Sequence, residues 1–135
     1  MSDRPKPPAS SSALRSPGPL ESPILPFDLN AEIEQLRGEN AWHGGRNSKT
    51  LVKHPDFRVV LTVLKSNARL HEHKAAGRIS VQTIAGHIRM HVQDKQFDLP
   101  AGHMLALERA LPHDVEALED SAFLLTIAWP EETTT

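Results

Sequence analysis

Residues 78–108 read "RISVQTIAGHIRMHVQDKQFDLPAGHMLALE". Apolar and polar side chains alternate through 78–85, and an extended chain sends successive side chains to opposite faces. Ile79, Val81, Thr83 and Ala85 therefore share one face. Past Gly86 the alternation resumes, with Ile88, Met90 and Val92 on one side and His87, Arg89 and His91 on the other. Gln93-Asp94-Lys95-Gln96 has the composition of a hairpin turn, and Pro100-Ala101-Gly102 that of a second. Residues 96–99 and 103–108 are again short alternating runs. Four short strands separated by tight turns leave no room for a helix between them, so the stretch predicts antiparallel sheet.

The pattern extends both ways. "FRVVLTVLK" (57–65), "HDVEAL" (113–118) and "AFLLTIAW" (122–129) read as further strands. Seven or more strands with no intervening helix imply an all-β sandwich or barrel over residues 48–130. Ahead of it, "DLNAEIEQLRGENAW" predicts one short helix. Asn30 is placed to cap it, Glu32 and Glu34 suit its first turns, and Gly38 suits its end. Leu29, Ile33 and Leu36 form an apolar stripe that a helix this short must pack on the barrel, so 27–47 is read as helix plus connector. Residues 1–26 hold seven of the eleven prolines and many serines, and predict a disordered tail with a loose likeness to polyproline-II ligands. Residues 131–135 are read as a disordered C-terminus.

The chain has 135 residues, a formal charge of −2, eight histidines and no cysteine. That length suits one domain. Near-neutral charge without a basic run argues against nucleic acid or a membrane surface as partner. Without cysteine, a metal must be held by His, carboxylate or amide groups. No apolar stretch has signal-peptide or membrane-spanning length, which makes a cytoplasmic location the default expectation.

Gly86 closing a strand, the Pro100-Ala101-Gly102 turn and "LPHDV" (111–115) entering another strand resemble the cupins, small antiparallel jelly-roll barrels that often hold a metal. The resemblance covers roughly residues 48–129. The second cupin motif runs Gly, five residues, Pro, one residue, Gly, two residues, His, three residues, Asn. Gly102 and His113 keep its spacing, while Glu108, Ala110 and Ala117 replace its Pro, second Gly and Asn. The first motif runs Gly, five residues, His-x-His, three or four residues, Glu, six residues, Gly. A gapless register from Gly86 puts Asn67 at the opening Gly, His73 and Ala75 at the histidines and Ile79 at the Glu. An alternative register takes His71 and His73 as the pair, at the cost of extra residues before the strand, and puts Lys65 at the opening Gly. Neither supplies the Glu.

The resemblance implies His71, His73 and His113 as metal ligands, with Gln82, His87 and His91 as weaker substitutes for the missing donor. Strand alternation points His113, Val115 and Ala117 inward and Gln82 outward unless a bulge intervenes. A catalytic divalent ion needs about three protein ligands and an open position, and the gapless register supplies two. Iron, manganese, zinc and nickel are not distinguished by this donor set. Arg89 on the β-face with His87 and His91, and Arg78 beside the expected barrel mouth, are candidates for binding an anionic small molecule. Phe123, Leu125, Ile127 and Trp129 share a face that is either core or the seam of a homodimer.

Two functions from different classes follow. One is a small cupin with an interior pocket for a small organic ligand bound through a divalent metal, of the kind that serves dioxygenases and isomerases. The other is a metal-free, non-enzymatic ligand-binding or regulatory cupin with a degenerate site.

Overall fold

The computed structural model describes residues 22–129, the side chain of His73 excepted. Helix α1 (Leu29–Arg37) and a 3-10 turn (Asn40–Gly44) precede nine strands. These are β1 (Arg46–His54), β2 (Phe57–Leu64), β3 (Arg69–His73), β4 (Arg78–Ala85), β5 (His87–Val92), β6 (Lys95–Pro100), β7 (Met104–Leu107), β8 (His113–Ala117) and β9 (Ser121–Ala128). They form a five-stranded sheet, β1-β2-β9-β4-β7, and a four-stranded sheet, β3-β8-β5-β6. Every neighbouring pair is antiparallel.

The inward faces of the two sheets meet in one apolar cluster: Leu64, Ile79, Val81, Ile88, Met90, Leu99, Val115, Ala117 and Phe123. The expected alternation holds strictly in β5, where Ile88, Met90 and Val92 are buried and their neighbours half-exposed. Thr83, the one hydroxyl on the inner face of β4, is fully buried and donates to the Leu99 carbonyl at 2.8 Å, which removes the cost of burying it. Phe123, Leu125 and Ile127 belong to this interior cluster, so that face of β9 is core.

Helix α1 lies on the outer face of the five-stranded sheet. Ile33 and Leu36 pack with Leu61, Val63 and Ala122 in a second cluster. Its N-cap is Asp28, whose carboxylate accepts from the Ala31 amide at 3.1 Å, and not Asn30. Both side chains can cap, and the helix starts two residues earlier because Leu29 already has helical geometry. Gly38 ends the helix in an αR conformation, closing on the Glu34 and Gln35 carbonyls.

Two strands lie outside the sequence-predicted set. β1 is an edge strand with lysines and polar residues at alternate positions, which blunts its apolar signal. β3 is five residues long and bulged, with one residue more than β8 between the pairs Leu70↔Val115 and His73↔His113. The tail expectation at 1–21 and the C-terminal one at 131–135 lie outside the described residues.

Candidate functional site

The register of the barrel is written in its left-handed residues. Asn67 (φ 73), Gly86 (φ 81), Gly102 (φ 91) and Ala110 (φ 67) all have positive φ. These are four positions at which the two motifs of the gapless register call for glycine. Two of them keep the conformation after losing the glycine, Asn tolerating it and Ala at a cost. The Ala110 amide then donates to the Ala75 carbonyl at 2.9 Å, which ties the two motif segments together. Register and backbone agree at these four positions, which favours the gapless register.

His113 opens β8 and is buried, at 4% exposure. Its Nδ1–H donates to the Leu111 carbonyl at 3.0 Å. A carbonyl oxygen only accepts, so in the neutral ring Nδ1 carries the hydrogen and Nε2 a lone pair. This is the way a ligating or hydrogen-bond-accepting imidazole is commonly oriented. His73 is the backbone partner of His113 across the β3–β8 ladder. The bulge puts it there: without the extra residue, position 72 would stand opposite His113.

The other two ligand positions are hydrocarbon. Ile79, at the Glu position, is buried within the interior cluster, and Ala75, at the second His position, packs against it. Two imidazoles fall short of the three donors that a catalytic ion needs. Among the described residues, no group of three or more His, Asp or Glu side chains is placed to hold a metal ion. In the gapless register, Ala75 and Ile79 offer no donor atoms, which leaves His73 and His113, one donor fewer than a catalytic ion ordinarily takes.

The remaining candidates lie outside the barrel. His71 is exposed, next to the inward-packed Leu70. Gln82 is exposed on β4, paired with Met104 and Leu124, because Val81 and Thr83 take the inward positions. His87, Arg89 and His91 occupy the outer face of the four-stranded sheet, so neither histidine can complete an interior donor set and Arg89 does not line a mouth. Arg89 pairs with Asp98 at 2.8 Å and Arg78 with Glu108 at 2.9 Å, where the alternation had suggested a ligand's carboxylate.

That outer face is a charged lattice. Asp114 accepts from Arg69 at 2.9 Å and lies 2.7 Å from Nδ1 of His91, whose Nε2 is 3.6 Å from Glu116. Partial burial pushes the Asp114 carboxyl up, but the hydrogen bonds from Arg69 and His91 outweigh it and hold it below the usual range. The Arg89 hydrogen bond likewise lowers Asp98, and that of Arg78 lowers Glu108. Asp114 and Glu116 fall where the alternation in β8 puts them, facing water. Their partners on β3 and β5 depend on pairings no local pattern reveals.

No family model matches the chain, and no curated protein matches it. Solved structures do. A cupin-2 domain-containing protein from Shewanella frigidimarina superposes with a TM-score of 0.62 at 14% identity, over 76% of this chain and 93% of its own. The barrel has the cupin fold. A cupin 2 conserved barrel domain protein from Leptotrichia buccalis matches at 29% identity and a TM-score of 0.60, over 63% of this chain and 41% of that one. A salicylate 1,2-dioxygenase variant from Pseudoaminobacter salicylatoxidans gives a TM-score of 0.68 at 12% identity, over 76% of this chain and 34% of its own. At such identities the likeness establishes the cupin barrel and not a reaction. No helix among the described residues is long and apolar enough to cross a membrane.

Proposed function

We propose that this cupin is a metal-independent binding domain for a small, mostly apolar organic molecule, recognised at the His113 end of the barrel interior. The observation that carries it is the replacement of two ligand positions by Ala75 and Ile79, both packed into the interior cluster. Ile79, Val81, Met90 and Phe123 pack together in the interior, and a ligand reaching them at the His113 end would gain roughly 25 cal/mol per Å² of hydrocarbon removed from water. A buried imidazole whose Nδ1–H is committed to Leu111 acts as a hydrogen-bond acceptor through Nε2. The matching ligand has a mostly apolar body. The reading is one of binding, with His113 as an oriented proton acceptor beside an apolar interior.

A second reading is a divalent ion shared between His73 and His113. Their cross-strand pairing and the Nδ1 anchoring of His113 favour it. It is a two-point site short of catalysis.

Titration of the full chain with small phenols, alcohols and carboxylic acids, followed by heteronuclear NMR, tests the binding reading. Shifts centred on His113, Val115 and Ala117 that vanish in His113→Ala are the expected result. Shifts confined to the charged outer face around Arg89 and His91 would overturn it.

A further inference from the structure

Strand β2 carries a cation on the inner face of the barrel. Leu61 and Val63 pack under the helix on the outer face, while Leu64 belongs to the interior cluster. By alternation Val60 and Arg58 share the side of Leu64. Pairing gives the same answer, because directly opposed residues of an antiparallel ladder project to one face. Arg58 stands opposite Ile127, which packs on the interior cluster. The row continues through Ile127↔Ile79 and Ile79↔Leu107, so a guanidinium heads a line of three apolar side chains. That row lies at the His113 end. The chain crosses from β3 to β4 after His73 and from β7 to β8 after Leu107, and both crossings leave one sheet for the other at the same end. The Ala110 amide, in one crossing, donates to the Ala75 carbonyl in the other. Arg58 and Ile79 on one sheet therefore share an end of the barrel with His113 on the other.

Arg58 has no counter-charge there. It is half-buried, its Nε is buried without a hydrogen-bond partner, and it enters no ion pair among the described residues. Its guanidinium carbon lies 5.1 Å from the centroid of the Trp129 ring. An aromatic face offsets charge but leaves in-plane N–H donors unmet. A second cation, Lys53, stands directly opposite Arg58 in the β1–β2 ladder, where like charges repel. Asp56, in the turn joining the two strands, is exposed and pairs with neither. The outward-facing Arg69, Arg78 and Arg89 each have a carboxylate, at 2.9, 2.9 and 2.8 Å. The arginine that faces the interior has none.

We propose that Arg58 recognises the anionic group of the ligand bound at this end, a small monocarboxylate whose apolar body lies along Ile127, Ile79 and Leu107. This rests on the binding function proposed above and gives its ligand a charge. A planar guanidinium fork matches a carboxylate through two parallel N–H···O bonds. One half-buried guanidinium, with Lys53 at the exposed edge, suits a single negative charge. Two strand spacings, about 10 Å, separate Arg58 from Ile79. An arginine side chain and a ring or short alkyl chain fill that span together.

The test is titration of the full chain, by calorimetry and heteronuclear NMR, with benzoate and hexanoate, each against its neutral amide. The wild type should bind carboxylate about tenfold or more tighter than amide, with shifts around His113 and Ile79. Arg58→Gln should erase that preference while leaving amide affinity within about twofold, and Arg58→Lys should keep part of it. Lys53→Gln, on the exposed edge strand, should lower the preference by a smaller factor, a readout that serves even where Arg58→Gln does not fold. Amides bound beside His113 as tightly as carboxylates would overturn the carboxylate assignment and leave the binding function standing. A preference that persists in Arg58→Gln, one whose shifts centre on Arg78 or Arg89, or an equal loss of both affinities in Arg58→Gln would also overturn it. Binding of neither the acids nor the amides would overturn both.

Discussion

Ala110 holds φ 67, where its Cβ crowds the backbone at a cost of roughly 1–2 kcal/mol that glycine would avoid. Ala110→Gly should therefore stabilise the barrel by about 0.5–1 kcal/mol after glycine's extra unfolded-state entropy is subtracted. A higher denaturant midpoint at constant slope is the measurement. Gly86 is the opposite case: a Cβ there would run into the Asp120 carbonyl and the Ser121 hydroxyl, with φ at 81. Backbone strain and overpacking together predict that Gly86→Ala costs about 2–4 kcal/mol. A thermal melt of that variant within a degree or two of wild type would show that the Gly86 turn yields freely. The two substitutions move in opposite directions at positions that the motif treats alike, which separates conformation from contact.

At the scale of one strand, β8 serves two masters: His113, Val115 and Ala117 face the interior while Asp114 and Glu116 face the charged lattice. The Asp114 carboxyl is lowered in the folded state, so its contribution is fully present above the ordinary aspartate value of 3.8 and is lost as pH falls below that value. Acid unfolding should begin at a higher pH in Arg69→Gln, and Asp114→Asn should flatten the pH dependence below 3.8. Equal acid midpoints in the wild type and both variants would remove Asp114 as a contributor. Period-two alternation made β4, β5 and the inward set of β8 legible in the sequence, because each buries one clean face. It hid β1, whose edge position lets polar residues fill both sides, and β3, whose bulge breaks the period within five residues. Of the candidate site, the inward place of His113 was legible because β8 alternates cleanly. Gln82 lies outward, as the alternation directs, and His87 and His91 share the outer face of β5, so only their residue type named them as donors.

For the whole molecule, the decisive fact is that the interior between the sheets is continuous hydrocarbon from Leu64 to Phe123, with a buried imidazole at one end. Such a core cannot lose bulk cheaply, and Met90→Ala should cost about 2–5 kcal/mol by chemical denaturation. Ala75 and Ile79 contribute to the packing of that interior, where metal donors would need desolvation. Placing donors at both positions with Ala75→His and Ile79→Glu together should create a site for a divalent ion that the proposed reading denies the native chain. The most direct measurement is the metal content, by mass spectrometry, of untagged native protein after incubation with iron, manganese, zinc and nickel salts and desalting. The account predicts substoichiometric metal in the native chain and in His113→Ala alike, and about one ion per chain in the doubly substituted variant. One equivalent bound by the native chain and lost in His113→Ala would contradict it.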